Sequence, residues 1–188
     1  MNDTMSDAPD SLDAAALFRA HAGFVATFAA RIGVPAEDID DVVQETFLVA
    51  HRREGYRAGA ARPVTWLAEI ALRVWSTLRR SRRRKATERD DALALVPSPD
   101  DVFERAAATE ALGRVERALA TLDVDHRAVL VLFELHGESC ESIADGLGVP
   151  IGTVYSRLHH ARRKFHKTYA SLTADGSPRA LTARGEAR

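Results

Sequence analysis

Apolar positions recur along this chain at three- and four-residue intervals, the spacing of helix faces. Leu17, Phe18, Val25, Phe28 and Ile32 predict a helix beginning near Leu12, which Gly33-Val34-Pro35 breaks. A second helix starts at Ala36 or Glu37 and reads AEDIDDVVQETFLVAHRR. It buries Ile39, Val42, Val43, Phe47 and Ala50, and turns Asp41, Gln44, Glu45 and Leu48 outward. Acids crowd its first turns and Arg52 and Arg53 close it, the arrangement a helix dipole favours. Residues 55–63, GYRAGAARP, predict a loop. The third helix, Val64 to Lys85, buries Leu67, Ile70, Ala71, Val74 and Leu78, flanked by Trp66 and Trp75.

Composition shifts over residues 86–105, where prolines and scattered acids leave no apolar face and predict a linker. Helical spacing resumes near Val102 and runs to Leu122 through Ala111 or Leu112, Val115 and Leu119. Asp123 or Asp125 caps a short helix from His126 to Leu135. Its string AVLVLFEL is the one strand-like run; lying between helical patterns, it is read as a buried helix. The predicted inventory is helices only: two small helical domains, 12–85 and 106–170, joined by the flexible linker 86–105. Residues 1–11 and 171–188 are expected to be disordered.

The stretch from Ser139 to His166 organises the rest. Ser139 caps a helix whose apolar stripe is Ile143, Ala144 and Leu147. Gly148 ends it and Pro150 opens the next. Ile151, Val154, Leu158 and Ala161 mark the second helix's inner face; Thr153, Tyr155, Ser156, Arg157, His160 and Arg163 mark its outer face. This is the helix-turn-helix pattern, whose second helix enters the DNA major groove.

Charge sharpens that reading. No Asp or Glu occurs from Gly146 to Ala174, while Arg157, Arg162, Arg163, Lys164 and Lys167 do. The whole chain of 188 residues carries a net charge of −1, so this cationic face is local and suits a polyanion. A second cationic run, Arg79 to Lys85, holds six cations in seven residues; it reads most simply as a solvated helix end complementing the dipole, though like charges so close repel unless phosphate or acidic protein neutralises them. One cysteine, Cys140, excludes an internal disulfide and a multi-cysteine zinc site. Residues 1–13 are unlike a signal peptide and no apolar run approaches ~20 residues, so a cytoplasmic protein without membrane insertion is expected. The seven histidines fall into no HExxH, and no phosphate loop, GxSxG or CxxC is present. No enzyme, metal or cofactor is expected.

Three stretches together resemble the extracytoplasmic-function (ECF) sigma factors of bacterial RNA polymerase, with sigma-70 regions 2 and 4 only. They are IDDVVQETFLVAHRR at 39–53, TWLAEIALRVWSTLRRSRRR at 65–84, and TLDVDHRAVLVLFELHGESCESIADGLGVPIGTVYSRLHHARRKF at 121–165. The resemblance implies a subunit that binds core polymerase and directs promoter-specific initiation, a monomer when free and controlled by an anti-sigma partner. It implies core-polymerase contacts at Asp41, Gln44, Glu45 and Phe47, with Phe47 packed in the core. It implies minus-10 contacts at Tyr56, Arg73, Thr77 and Arg80, with Tyr56 either stacking on a base or anchoring its loop. It implies minus-35 contacts at Ser139, Thr153, Tyr155, Ser156, Arg157, His160 and Arg163. The family's common Arg-Asn pair is Leu72-Arg73 here, so promoter preference does not transfer. The alternative is a stand-alone helix-turn-helix regulator, which would bind two half-sites as a dimer.

Overall fold

A computed structural model of the chain describes residues 11–59, 61–87 and 106–175. The expected disorder of residues 1–10, most of the expected linker and the tail past residue 175 lie outside the described residues. Within them the helices are α1 (Ala14–Ile32), α2 (Ala36–Arg52), α3 (Pro63–Thr87), α4 (Ala106–Ala120), α5 (Val124–Glu134), α6 (Cys140–Leu147) and α7 (Ile151–Asp175). The expectation of helices alone needs one correction. β1 (Ser11–Leu12) and β2 (Tyr56–Arg57) pair antiparallel, Ser11 against Arg57 and Leu12 against Tyr56. Two residues are too few to write a period-2 signal, and Ser11 thereby leaves the expected disordered terminus.

Helix ends follow local chemistry. Asp13 accepts from the Ala16 amide at 2.7 Å and starts α1. Pro63 occupies the first position of α3, where its missing amide costs nothing. Asp123, not Asp125, caps α5, accepting from the His126 amide at 3.1 Å. Ser139 caps α6, accepting from the Ser142 amide at 3.1 Å. Gly148, at φ +64°, closes α6 in the left-handed conformation that glycine adopts without steric cost. Helix α7 runs to Asp175, so residues 171–175 are helical and not part of the expected disordered tail; its packing along α4 and a stacked Phe165–Tyr169 pair at 5.9 Å support it.

Helices α1, α2 and α3 pack mutually, and α4, α5 and α6 pack on α7. Leu17, Val25, Phe28, Val42, Leu67 and Ile70 fill the first bundle; Val129, Leu132, Ile143, Val154 and Ala161 fill the second. Each large apolar side chain buried this way contributes on the order of 2 kcal/mol. Two residues expected inside are not. Phe18 is half exposed, resting edge-on against Phe47 at 5.1 Å, and Ile151 projects from the first turn of α7 before the helices cross. Residues Ala128 to Leu132 are all buried, which identifies α5 as a helix covered on every side. What covers it includes α1, because the two bundles dock: α5 lies on α1 and α6 on α3. Their buried side chains form one continuous core.

Candidate nucleic-acid interfaces

The first candidate surface is the groove between α2 and α3. Asp41, Gln44 and Glu45 line it from α2, with Arg73 and Thr77 facing them from α3. Helical spacing on α2 sends Val42, Thr46 and Phe47 inward and leaves Asp41 and Gln44 exposed. Phe47 is core, as expected. Leu48 is exposed beside them. Asp41, Gln44 and Leu48 therefore make a polar ridge with an apolar spot, on a helix packed from behind by α1 and α3.

The α3 side is organised by two carboxylates. Glu69 is nearly buried and pairs with Arg53 at 3.1 Å and with Arg73 one turn on. Asp38 is also buried, and Arg82 reaches back to it. Neither acid stood out in the sequence. Yet the Glu69–Arg73 spacing of four is the one at which helical neighbours meet, and Asp38 shares its face with Val42. Thr77 is exposed, its hydroxyl donating to the Arg73 carbonyl at 2.9 Å, and Arg80 is exposed with Nε 3.3 Å from the Ser76 carbonyl.

Tyr56 is placed differently from the other three. Its ring is buried edge-on against Trp66 at 5.8 Å and its hydroxyl donates to the Ala61 carbonyl at 2.7 Å. Ring packing and the hydroxyl bond together tie Tyr56 to its own loop, the arrangement of an anchor. Gly55 makes the loop's entry possible: at φ +85°, its α-carbon lies against the Leu12 carbonyl, where no side chain fits.

The second surface is the outer face of α7. Tyr155, Ser156, His160 and Arg163 are exposed, and Thr153 is partly so. Leu122, Asp123 and His126 on the α4–α5 side and His160, Arg163, Lys164 and Lys167 on α7 form a shallow cationic groove. Burial works against the Asp123 carboxylate. Hydrogen bonds from His126 outweigh it and hold its pKa below the usual range. Arg157 is tied to Asp125 at 2.9 Å, a partly exposed pair that a phosphate or guanine could displace at small cost. Ser139 is exposed at the α6 N-terminus; its oxygen accepts from the Ser142 amide, and its hydroxyl donates to the Glu141 carboxylate, which a backbone amide and this hydroxyl together hold below the usual range. Next to it, Cys140 is buried, and burial and Glu141 push its thiol pKa up, the opposite of a reactive thiolate.

Among the described residues no group of three His, Cys, Asp or Glu side chains has metal-binding geometry. No described helix is long and apolar enough to cross a membrane.

Comparison with known proteins closes this description. The family model "Sigma-70 region 2" matches residues 17–85, covering α1 to α3. The model "Sigma-70, region 4" matches residues 112–165, from within α4 into α7. The ECF RNA polymerase sigma factor SigL of Mycobacterium tuberculosis is 35% identical over 158 residues, 84% of this chain and 89% of that protein. SigM of the same organism is 35% identical over 83% of this chain and 76% of its own length. Among solved structures, CnrH in complex with the cytosolic domain of CnrY is 31% identical with a TM-score of 0.59, covering 86% of this chain and 88% of that one. The sigma factor RpoE of Bartonella quintana, in complex with the anti-sigma factor NepR, shares the fold at a TM-score of 0.63 and 22% identity, over 81% and 94%. With both patterned regions in order and relatives matched along most of their lengths, the chain belongs to the extracytoplasmic-function sigma factors of the sigma-70 family.

Proposed function

We propose that this chain binds core RNA polymerase through the exposed edge of α2, with Asp41 and Gln44 as the principal polar contacts and Glu45 beside them. In this reading Arg73, Thr77 and Arg80 on α3 meet the minus-10 element, and Tyr56 shapes the neighbouring loop. Thr153, Tyr155, Ser156, Arg157, His160 and Arg163 meet the minus-35 element in the major groove, and Ser139 meets a phosphate. The observation that carries this is the pairing of an acid-free, exposed recognition-helix face with a separate polar ridge on α2, in one chain and in the family's order. Phosphate contact from α7 supplies affinity and steers association; side chains on base edges supply choice.

We further propose that an anti-sigma protein regulates the chain. Its support is the pair of similar solved structures, one described as a sigma factor in complex with an anti-sigma factor and the other as CnrH in complex with the cytosolic domain of CnrY. Copurification from cells tests it: a stoichiometric partner besides polymerase subunits is expected, and its absence under every growth condition would count against it.

Transcription in vitro with purified core enzyme tests the main reading. Adding this protein is expected to yield discrete start sites on genomic fragments where core alone yields none. Failure on every fragment would overturn it.

A further inference from the structure

Two large apolar side chains stand in water on the outer side of α7. Ile151 is 40% exposed and Tyr155 is 52% exposed. They lie four residues apart, so they are neighbours on one edge of the helix. Val154, Leu158 and Ala161 carry the packing of α7, and Ile151 precedes that stripe as the first residue of the helix. Neither Ile151 nor Tyr155 belongs to the core or to the apolar side chains packed against it.

Gly152 sits beside them, also exposed, and a β-carbon there would meet no other protein atom within 4 Å. Glycine is a poorer helix former than alanine, so this residue weakens the first turn of α7 without serving any packing inside the chain. Gly152 and Ser156, again four apart, line the exposed face with two small residues. A partner's flat edge can come close to the helix there, with Ile151 and Tyr155 to one side and Thr153 to the other.

The surroundings select the partner. No Asp or Glu occurs on α7 before Asp175, and Arg163 is exposed on the same face. An apolar pair on an acid-free cationic helix fits a polyanion that carries an apolar group of its own. Duplex DNA offers one such group in the major groove, the 5-methyl of thymine.

We propose that Ile151 is a specificity-determining residue: with the ring of Tyr155 it forms an apolar clasp for the methyl group of a thymine in the minus-35 block, and Gly152 gives the helix the clearance to seat it. The inference rests on the proposed placement of α7 in the major groove. Ile151 is suited to the task by position, because a recognition helix meets base edges with its N-terminal residues. Cytosine in place of that thymine brings no methyl and sets an amino group against the clasp, where it loses water without gaining an acceptor.

The test uses the full chain with core enzyme on a mapped promoter. Each thymine of the minus-35 block, on either strand, is replaced singly by deoxyuridine, which lacks only the methyl group. At one position the wild type should bind about fourfold more weakly, the factor for one buried methyl. Ile151→Ala should bind the unmodified promoter more weakly by a similar factor and lose its response to uracil at that position. Tyr155→Phe, which keeps the ring, should respond as the wild type does. Gly152→Ala should unfold at the same temperature or higher and yet bind the promoter several-fold more weakly; an unchanged affinity would overturn the clearance. Specific promoter binding that ignores uracil at every thymine would overturn the clasp while the proposed function stands. A uracil response that Ile151→Ala retains would overturn the role of Ile151. Loss of transcription by Ile151→Ala at full promoter affinity would assign the pair to a protein partner and also overturn the proposal. If the chain and core enzyme bind no promoter at all, the proposed function falls and the clasp falls with it.

Discussion

The α2–α3 groove and the α5–α7 groove are both lined with arginine, yet they hold it differently. In the first, Glu69 clamps Arg53 and Arg73, and Asp38 clamps Arg82. In the second, no carboxylate among the described residues pairs with Arg163, Lys164 or Lys167. A clamped guanidinium is preset in direction and partly neutralised; a free one waits for an external anion. The contrast fits the two tasks proposed for these surfaces. Recognition of an opened strand needs fixed geometry, whereas a duplex backbone is gripped by cations that release its counterions.

The comparison breaks first at α7. Replacing Arg163 and Lys167 together by alanine should weaken binding to promoter duplex about 30-fold near 0.15 M salt, and lower the salt slope by about two. Anisotropy titrations at several salt concentrations would show this, and an unchanged slope would mean these cations touch no phosphate. Glu69→Ala should next cost ~1–2 kcal/mol in thermal unfolding, because Arg53 loses its partner and Arg73 is largely solvent-exposed already. It should also lower promoter opening while leaving α7-dependent duplex binding intact, which sharpens the distinction between the two surfaces.

Much of this was legible because helix ends and faces are local matters. Ser139, Gly148 and Pro150 announce the turn between α6 and α7, and the caps sit where the side chains imply. The outward set on α2 follows from spacing alone. Tyr56 was ambiguous because an aromatic in a loop reads alike as anchor or as stacking platform until its hydroxyl finds the Ala61 carbonyl. The docking of the bundles was illegible. Arg62 and Glu138 are 76 positions apart, and pairing at such a distance leaves no periodic trace. Gly146 carried no signal for the same reason: what it meets, Thr65, lies on another element.

Smaller effects refine the contrast. Asp123→Ala removes the α5 cap and should cost ~1 kcal/mol by denaturant unfolding. Acidity should destabilise the fold around His136. Burial holds the His136 pKa below its ordinary value, against the pull of Glu138. The folded state therefore binds this proton less readily than the unfolded one, so its contribution to stability is undiminished above the ordinary value of 6.5 and weakens as pH falls below it. Thermal unfolding at pH 7.5 and pH 5.5 should show the drop, and His136→Phe should reduce it. Asp125→Ala should change stability least, within ~0.5 kcal/mol, while freeing Arg157 and raising duplex affinity by no more than a few-fold.

The central claim is that α3 and α7 engage two separate blocks of one promoter when the chain sits on polymerase. Nuclease footprinting of a mapped promoter with core enzyme tests it most directly. Protection of two blocks centred about 25 base pairs apart, the upstream one lost in the Arg163→Ala, Lys167→Ala variant, is the predicted result. A single symmetric site protected by the chain alone, with half-sites about one helical turn apart and no dependence on polymerase, would contradict it.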